Sequence, residues 1–268
     1  MDAVKHLLGI MRALRDPEAG CPWDLRQTYS SLAPYTLEEA YEVVDAIERD
    51  DTGDLREELG DLLFHIVFYA QIAQESGHFT FFDVAETIAE KMKRRHPHVF
   101  SNEYTRADEA SIAQAWEKIK AEERREKSDG QKSSQLNGIT EALPSLISAE
   151  KIQKRVARVG FDWGSAEPVF DKVQEELEEV RAAVSKEGGA PDRVAEEVGD
   201  LLFAVVNLAR HLKVNPEVAL RAGNKKFVKR FQAMEILIDQ QGEVLEELSL
   251  DAMNGYWKEV KKALDKGL

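Results

Sequence analysis

Residues 174–184 read QEELEEVRAAV and residues 196–210 read EEVGDLLFAVVNLAR. Wound at about 100° per residue, with Glu176 set at 0°, Glu179 falls near −60°. Val173, Leu177, Val180 and Val184 then fall between roughly 40° and 100°. The second stretch repeats this plan. With Glu197 at 0°, Asp200 takes the −60° position, and Val194, Val198, Leu201 and Val205 fill the same apolar sector. Each stretch is therefore an amphipathic helix with an acid pair along one edge of its apolar stripe. Two such helices packed by their stripes bring four carboxylates to one seam.

Working outward, the same text occurs earlier in the chain. Residues 37–47 read LEEAYEVVDAI and residues 57–71 read EELGDLLFHIVFYAQ. Glu39 and Glu42 flank Val43 and Ile47, and Glu58 and Asp61 flank Leu55, Leu59, Leu62 and Ile66. Glu39 and Glu176 are 137 residues apart, and Glu58 and Glu197 are 139 apart, so the second connection is two residues longer. Three further elements recur in order. Trp23-Asp24 answers Asp162-Trp163, Lys91 and Arg95 answer Lys226 and Arg230, and Trp116 and Lys120 answer Trp257 and Lys261. A single acidic run is a solvated helix face. A quartet written twice with one angular plan, each time followed by Gly-Asp-Leu-Leu-Phe, calls for another reason. Gly60 and Gly199, mid-helix where glycine costs about 1 kcal/mol against alanine, suggest close packing or access to a site beside Asp61 and Asp200.

The remainder is helical as well. Glycine and proline are sparse, and period-2 alternation is hard to find. Helices are expected at about 2–15, 36–50, 54–76, 80–95 and 108–127, and again at about 145–158, 166–187, 191–212, 216–240 and 249–265. Thr36 with Glu39 and Thr80 with Asp83 have capping-box spacing, and Asn215-Pro216 is an N-cap followed by proline at the first helical position. The expected class is all-α, built as two tandem helical bundle modules, 1–127 and 141–268, joined by a small polar linker at 128–140. Leu62–Ala70 and Leu201–Ala209 are apolar on nearly all sides and read as central helices. His65 and Asn207 within them are expected to be satisfied core polar groups.

Composition narrows the function. The 268 residues carry 36 Lys+Arg against 50 Asp+Glu, a formal net charge of −14. That balance argues against nucleic acid as a partner, since affinity for a polyanion rests on Lys and Arg. The basic KMKRRHPH run at 91–98 fits phosphate contact or a solvated face better. Cys21 is the single cysteine, so no internal disulfide and no cysteine metal cluster can form. The longest central run without charge, Leu62–Gln74, has 13 residues, short of the ~18 of a membrane span. With no signal-peptide pattern at Met1–His6, the cytoplasm is the default. Gly-rich phosphate loops are absent. Only Glu75-Ser76-Gly77-His78 has the Glu-x-x-His spacing of a di-iron bundle, which needs two such motifs. Removing the ten motif carboxylates at 38, 39, 42, 58, 61, 175, 176, 179, 197 and 200 leaves −4 of the −14. The excess acid is thus concentrated in two spots. Gathered hard oxygen ligands of that kind suit Mg²⁺ or Mn²⁺.

The paired EExxE and ExxD motifs, together with CPWD at 21–24 and RRHPHVF at 94–100, resemble the MazG nucleoside triphosphate pyrophosphohydrolases of the all-α NTP pyrophosphatase superfamily. The resemblance covers nearly the whole chain. It implies Mg²⁺-dependent hydrolysis of an NTP or dNTP to the monophosphate and pyrophosphate, nucleotide-pool housekeeping and a homodimer. It also implies that Glu176, Glu179, Glu197 and Asp200 are catalytic metal ligands, and that Glu39, Glu42, Glu58 and Asp61 form a second metal set. Lys226, Arg230 and Lys261 would contact phosphates, while Trp257 and Asn254 would help hold the nucleoside. Lys91, Arg95, Trp116 and Lys120 are the first-half counterparts. A non-catalytic helical module that binds nucleotides or partners is the alternative.

Overall fold

The computed structural model describes residues 2–100, 109–127, 134–185 and 191–265. The chain forms two compact units, Met1–Glu123 and Arg124–Leu268. Among the described residues every regular element is helical, and none is long and apolar enough to cross a membrane.

The first unit comprises α1 (Asp2–Leu14), α2 (Pro22–Arg26), α3 (Tyr29–Glu48), α4 (Thr52–Glu75), α5 (Phe81–Arg95), α6 (Pro97–Phe100) and most of α7 (Glu109–Lys127). Its core joins Met11 of α1, Leu32 of α3 and Val67, Phe68 and Ile72 of α4, with Phe64, Tyr69 and Phe81 packed around them. α3 and α4, joined by only three residues, make the most extensive helix pairing of the unit.

The first correction concerns α3. The Thr36–Glu39 capping box does not form. The helix starts seven residues earlier, at Tyr29, with Thr28 as N-cap and a reciprocal box between Thr28 and Ser31. Thr36 lies inside the helix, donating to the Leu32 carbonyl at 3.1 Å and sitting 2.7 Å from the Tyr69 hydroxyl. Pro34 is an interior residue of the helix. The Thr80–Asp83 box forms as expected, and so does the Asn215 cap, which accepts from the Val218 N–H at 3.0 Å.

The second unit comprises α8 (Ser145–Ala157), α9 (Glu167–Ser185), α10 (Pro191–His211), α11 (Pro216–Gln240), a 3₁₀ turn at Leu245–Glu247 and α12 (Leu250–Asp265). α9 and α10 pair as α3 and α4 do, and α8 packs on α10 as α1 packs on α4. A separate cluster, Met234 and Ile238 of α11 with Val260 of α12, is covered by Phe231, Tyr256 and Trp257. Residues 128–133 of the expected linker lie outside the described residues. Arg155 of α8 ties down the part that follows, donating to the carbonyls of Gln135, Asn137 and Gly138.

Candidate metal and nucleotide site

The seam expected from the helical wheels exists in both units. Glu39, Glu58 and Asp61 each offer an oxygen, and the three atoms lie within 4.8 Å of one another; Glu176, Glu179 and Glu197 do the same. Glu42 stands close enough to Glu39 and Glu58 to push both their pKa values upward. Asp200 stands outside its trio, exposed, lining the cavity beside Glu176. The two sets thus share their helices but differ in which acid stands apart.

Their electrostatics differ for a readable reason. In the second unit Lys172 sits one helical turn before Glu176, with its ammonium 2.7 Å from Glu176 and 2.8 Å from Glu175. Arg193 sits one turn before Glu197, at 3.5 Å. These carboxylates hold the Lys172 pKa above its ordinary range. In the first unit the repeat register puts Tyr35 and Asp54 at those positions. Partial desolvation, then the charges of Glu42, Asp61 and Glu58, push the Glu39 pKa upward. Desolvation and the charges of Glu42, Asp54 and Asp61 do the same to Glu58. Glu179 is also raised, by desolvation and by Glu176 and Glu197, with Lys172 opposing. Acids that raise one another's pKa are an anionic cluster short of countercharge. One Glu176 oxygen, Oε2, is buried without a hydrogen-bond partner, as a ligand atom awaiting a cation would be. The donor set, carboxylate oxygens alone, fits a hard divalent cation.

A cavity of about 190 Å³ opens beside the second set, with Glu176, Asp200 and Lys172 among its lining residues. Phe161, Trp163, Phe203 and Val156 supply apolar wall, and Gln153, Asn207 and Arg210 supply the polar groups. The first unit has a cavity of about 270 Å³ in the corresponding place, beside Glu39 and Asp61 and walled by Trp23, Tyr35, Phe64 and Phe68. In each unit an ion pair anchors the tryptophan-bearing turn to the end of the long central helix. In the first, Arg15 donates to both Glu75 oxygens and to the Asp24 carbonyl. In the second the polarity is reversed. Arg210 and His211 hold Asp162, and Arg210 also donates to Asn207 at 2.9 Å.

His65 and Asn207 are satisfied core groups, as expected. His65 Nδ1 lies 3.3 Å from Thr36 Oγ1, and burial lowers its pKa. Gly60 and Gly199 are not points of close packing: an added Cβ at either meets nothing within 4 Å.

The expected phosphate and nucleoside residues group separately. Lys226 and Arg230 lie on α11, and Asn254, Trp257 and Lys261 on α12; none lines the cavity beside the carboxylates. Trp257 packs on Phe227, with ring centroids 5.1 Å apart. In the first unit Trp116 packs edge-on against His96, and the Lys120 ammonium sits over its ring at 5.6 Å. Lys91 and Arg95 lie on α5, where Glu123 binds both Arg94 and Arg95 at 2.6 Å. Gln153, Lys172, Arg193 and Arg210 went unnoticed in the sequence. The i, i+4 spacing of Lys172–Glu176 and Arg193–Glu197 was the available signal for two of them.

Comparison with known proteins agrees with the duplicated geometry. The family model described as the MazG nucleotide pyrophosphohydrolase domain matches twice, at residues 27–100 and 165–234. The chain is 49% identical to the nucleoside triphosphate pyrophosphohydrolase of Escherichia coli K12, over 98% of each protein. It is 46% identical to the nucleoside triphosphate pyrophosphohydrolase/pyrophosphatase MazG of Thermotoga maritima, over 96% of this chain and 95% of that one. Two domain matches and a full-length likeness of this degree have one conclusion: the chain belongs to the MazG nucleotide pyrophosphohydrolase family, a family of hydrolases.

Proposed function

We propose that this protein hydrolyses NTPs and dNTPs to the nucleoside monophosphate and pyrophosphate, with Mg²⁺, or Mn²⁺ in its place, held by Glu176, Glu179, Glu197 and Asp200. The observation that carries the reading is the carboxylate trio of α9 and α10, one member of which, Glu176, lines a cavity together with Asp200. A bound divalent cation there supplies activation of water and neutralisation of phosphate oxygens. Lys172 and Arg193 hold the acids in place in its absence. Lys226, Arg230 and Lys261 are the proposed phosphate contacts, with Trp257 and Asn254 helping to hold the nucleoside. Glu39, Glu42, Glu58 and Asp61 are the proposed second metal set, with Lys91, Arg95, Trp116 and Lys120 as the first-unit counterparts of the phosphate and nucleoside residues. A homodimer in the cytoplasm, engaged in nucleotide-pool housekeeping, completes the reading. The exposed apolar residues of the acid-bearing helices, among them Ile47, Leu59, Val184 and Leu202, support self-association.

The test is pyrophosphate release from a panel of NTPs and dNTPs, with and without EDTA, by the wild type and by Glu197→Gln and Asp200→Asn. Each variant should keep its melting temperature within a few degrees and lose activity by about a hundredfold or more. Full release by either folded variant would sink the assignment to the second unit. Nucleotide binding without release by the wild type would establish the non-catalytic module instead. Glu58→Gln and Asp61→Asn, assayed in parallel, measure the first unit's share.

A further inference from the structure

The first unit's cavity has the charge pattern of a site for a cation. Among the described residues lining it are two carboxylates, Glu39 and Asp61, and no lysine or arginine. The second cavity has Lys172 and Arg210 in its lining, and the repeat register puts Tyr35 in place of that lysine. Tyr35 and Trp23 are half-exposed and form two walls of a corner, with ring centroids 6.2 Å apart and planes at 67°. Phe64 and Phe68 complete the aromatic lining. A ring face attracts a cation within about 6 Å of its centroid, and the Arg15 guanidinium already lies over Phe68 in that way.

A second observation comes from His65, 7% exposed and also in the lining. The Thr36 hydroxyl gives its one hydrogen to the Leu32 carbonyl. The 3.3 Å contact between Thr36 Oγ1 and His65 Nδ1 therefore has the ring N–H as its donor. Burial lowers the His65 pKa against the pull of Asp61, so near pH 7 the ring is neutral and Nε2 is a bare acceptor. Thr36 thus satisfies one end of the ring only. Nε2 faces Glu39 Oε1 at 3.8 Å, beyond hydrogen-bonding reach, so two acceptors confront each other with no donor between them. The gathered trio of Glu39, Glu58 and Asp61 does not include this nitrogen, and a metal ion held by the trio leaves it unbonded. The second unit has Ala204 at the position of His65.

We propose that the first cavity binds a protonated aliphatic amine of the diamine or polyamine class: ammonium N–H groups donate to Glu39, Asp61 and His65 Nε2, while the alkyl chain and its charge lie against Trp23 and Tyr35. A primary ammonium has three N–H donors for these three acceptor groups, and its chain suits aromatic walls as a bare metal ion does not. The cavity volume of about 270 Å³ is near the lower end of small-molecule sites, roughly 300–1,000 Å³, so a short chain fits. The site goes beyond the hydrolytic reading and does not rest on it. Its two carboxylates also belong to the proposed metal set, so amine and metal exclude one another there. None of Lys91, Arg95, Trp116 and Lys120 lines the cavity.

The experiment titrates butane-1,4-diamine into the full chain, free of divalent metal and at about 0.15 M salt to screen diffuse attraction, with binding read by calorimetry. One molecule should bind per chain with Kd below about 1 mM. Tetramethylammonium, charged but without N–H, and butan-1-ol, without charge, should each bind at least about tenfold more weakly. Tyr35→Leu leaves every charge in place and should weaken diamine binding at least about threefold. Glu39→Gln should weaken it about tenfold or more, and Asp200→Asn, in the second unit, should bind as the wild type does. Undiminished binding by folded Tyr35→Leu would overturn the proposal, because charge alone would then account for it. Loss of binding in Asp200→Asn would overturn it by placing the amine in the other unit. Should Tyr35→Leu fail to fold, the wild type decides alone: diamine bound no more tightly than tetramethylammonium, or not bound at all, refutes the site.

Discussion

Arg15 makes more of the first unit's joints than any other side chain described above. It ends α1, bonds Glu75 at the end of α4, caps the Asp24 carbonyl and lies 5.4 Å over the ring of Phe68. The bond from Arg15, then that from Gln71, holds the Glu75 carboxyl below its ordinary pKa, against the opposing effect of burial. A carboxyl depressed in the folded state contributes stability that is complete above its unfolded value, about 4.3, and is lost as pH falls toward the folded one. Urea midpoints between pH 3 and pH 7 should therefore fall on acidification, and Glu75→Gln should flatten that acid limb while lowering the neutral plateau; an unchanged pH slope would refute the assignment. Phe68, fully buried, should cost about 3–5 kcal/mol as Phe68→Ala, read as a shift in the same midpoints. The acids of both sites were visible in the sequence because helical periodicity alone puts them on one edge. Gln153 and Arg210 were not, because their meaning depends on neighbours from other elements; Lys172 and Arg193 stand one turn from their acids, a spacing the sequence does show. Gln153 is informative only once the Phe203 carbonyl is seen opposite its amide.

Helix ends tell a similar story. Nine of the ten expected helices have starts and stops within about two residues of those found; α3 fails because two competing caps, Thr28 and Thr36, stand eight residues apart. The Thr28–Ser31 box wins because starting there lets α3 bring Leu32 into the core, a long-range gain no local pattern shows. The interior proline is the cost. Thr28→Ala should destabilise by about 0.5–2 kcal/mol; a change within error would mean the cap is idle. The short helices α2 and α6 and the 3₁₀ turn went unseen, since a single turn has no periodicity to detect. At the other ends, α4 and α11 close on glycines with left-handed φ, Gly77 at 71° and Gly242 at 71°. The residue after each donates back to the carbonyl five before it, the pattern of a Schellman cap. α10 closes the same way on Lys213, at φ 59°, where a side chain is strained. Lys213→Gly should therefore stabilise the second unit by about 1 kcal/mol, checked by denaturant titration; destabilisation would show that the lysine has another role.

At the scale of the molecule, the duplication was fully legible, because it is written in the order and spacing of residues. What the copies do differently was not. Apolar residues stand open on the acid-bearing helices, with Ile47 58% and Leu202 54% exposed, and they support the proposed pairing. Sedimentation should give a dimer at micromolar concentration, and Leu202→Glu should shift it toward monomer; a monomeric wild type would refute the pairing.

The clamp of Glu123 on Arg94 and Arg95 bears on how the two copies divide their work. These arginines hold the Glu123 pKa down to about 2, so the clamp is fully charged at every physiological pH. The corresponding position on α12 is Leu264, packed in the apolar cluster. A carboxylate built into the chain behaves as a competing ligand at an effective concentration of millimolar order or more. Under the proposed phosphate role of Arg95, a triphosphate reaching the first unit must displace a rival that never diffuses away. Under that reading Glu123→Leu should raise the first unit's affinity for nucleotide, read as tighter binding by a chain whose second site is disabled with Asp200→Asn; unchanged binding would refute the competition.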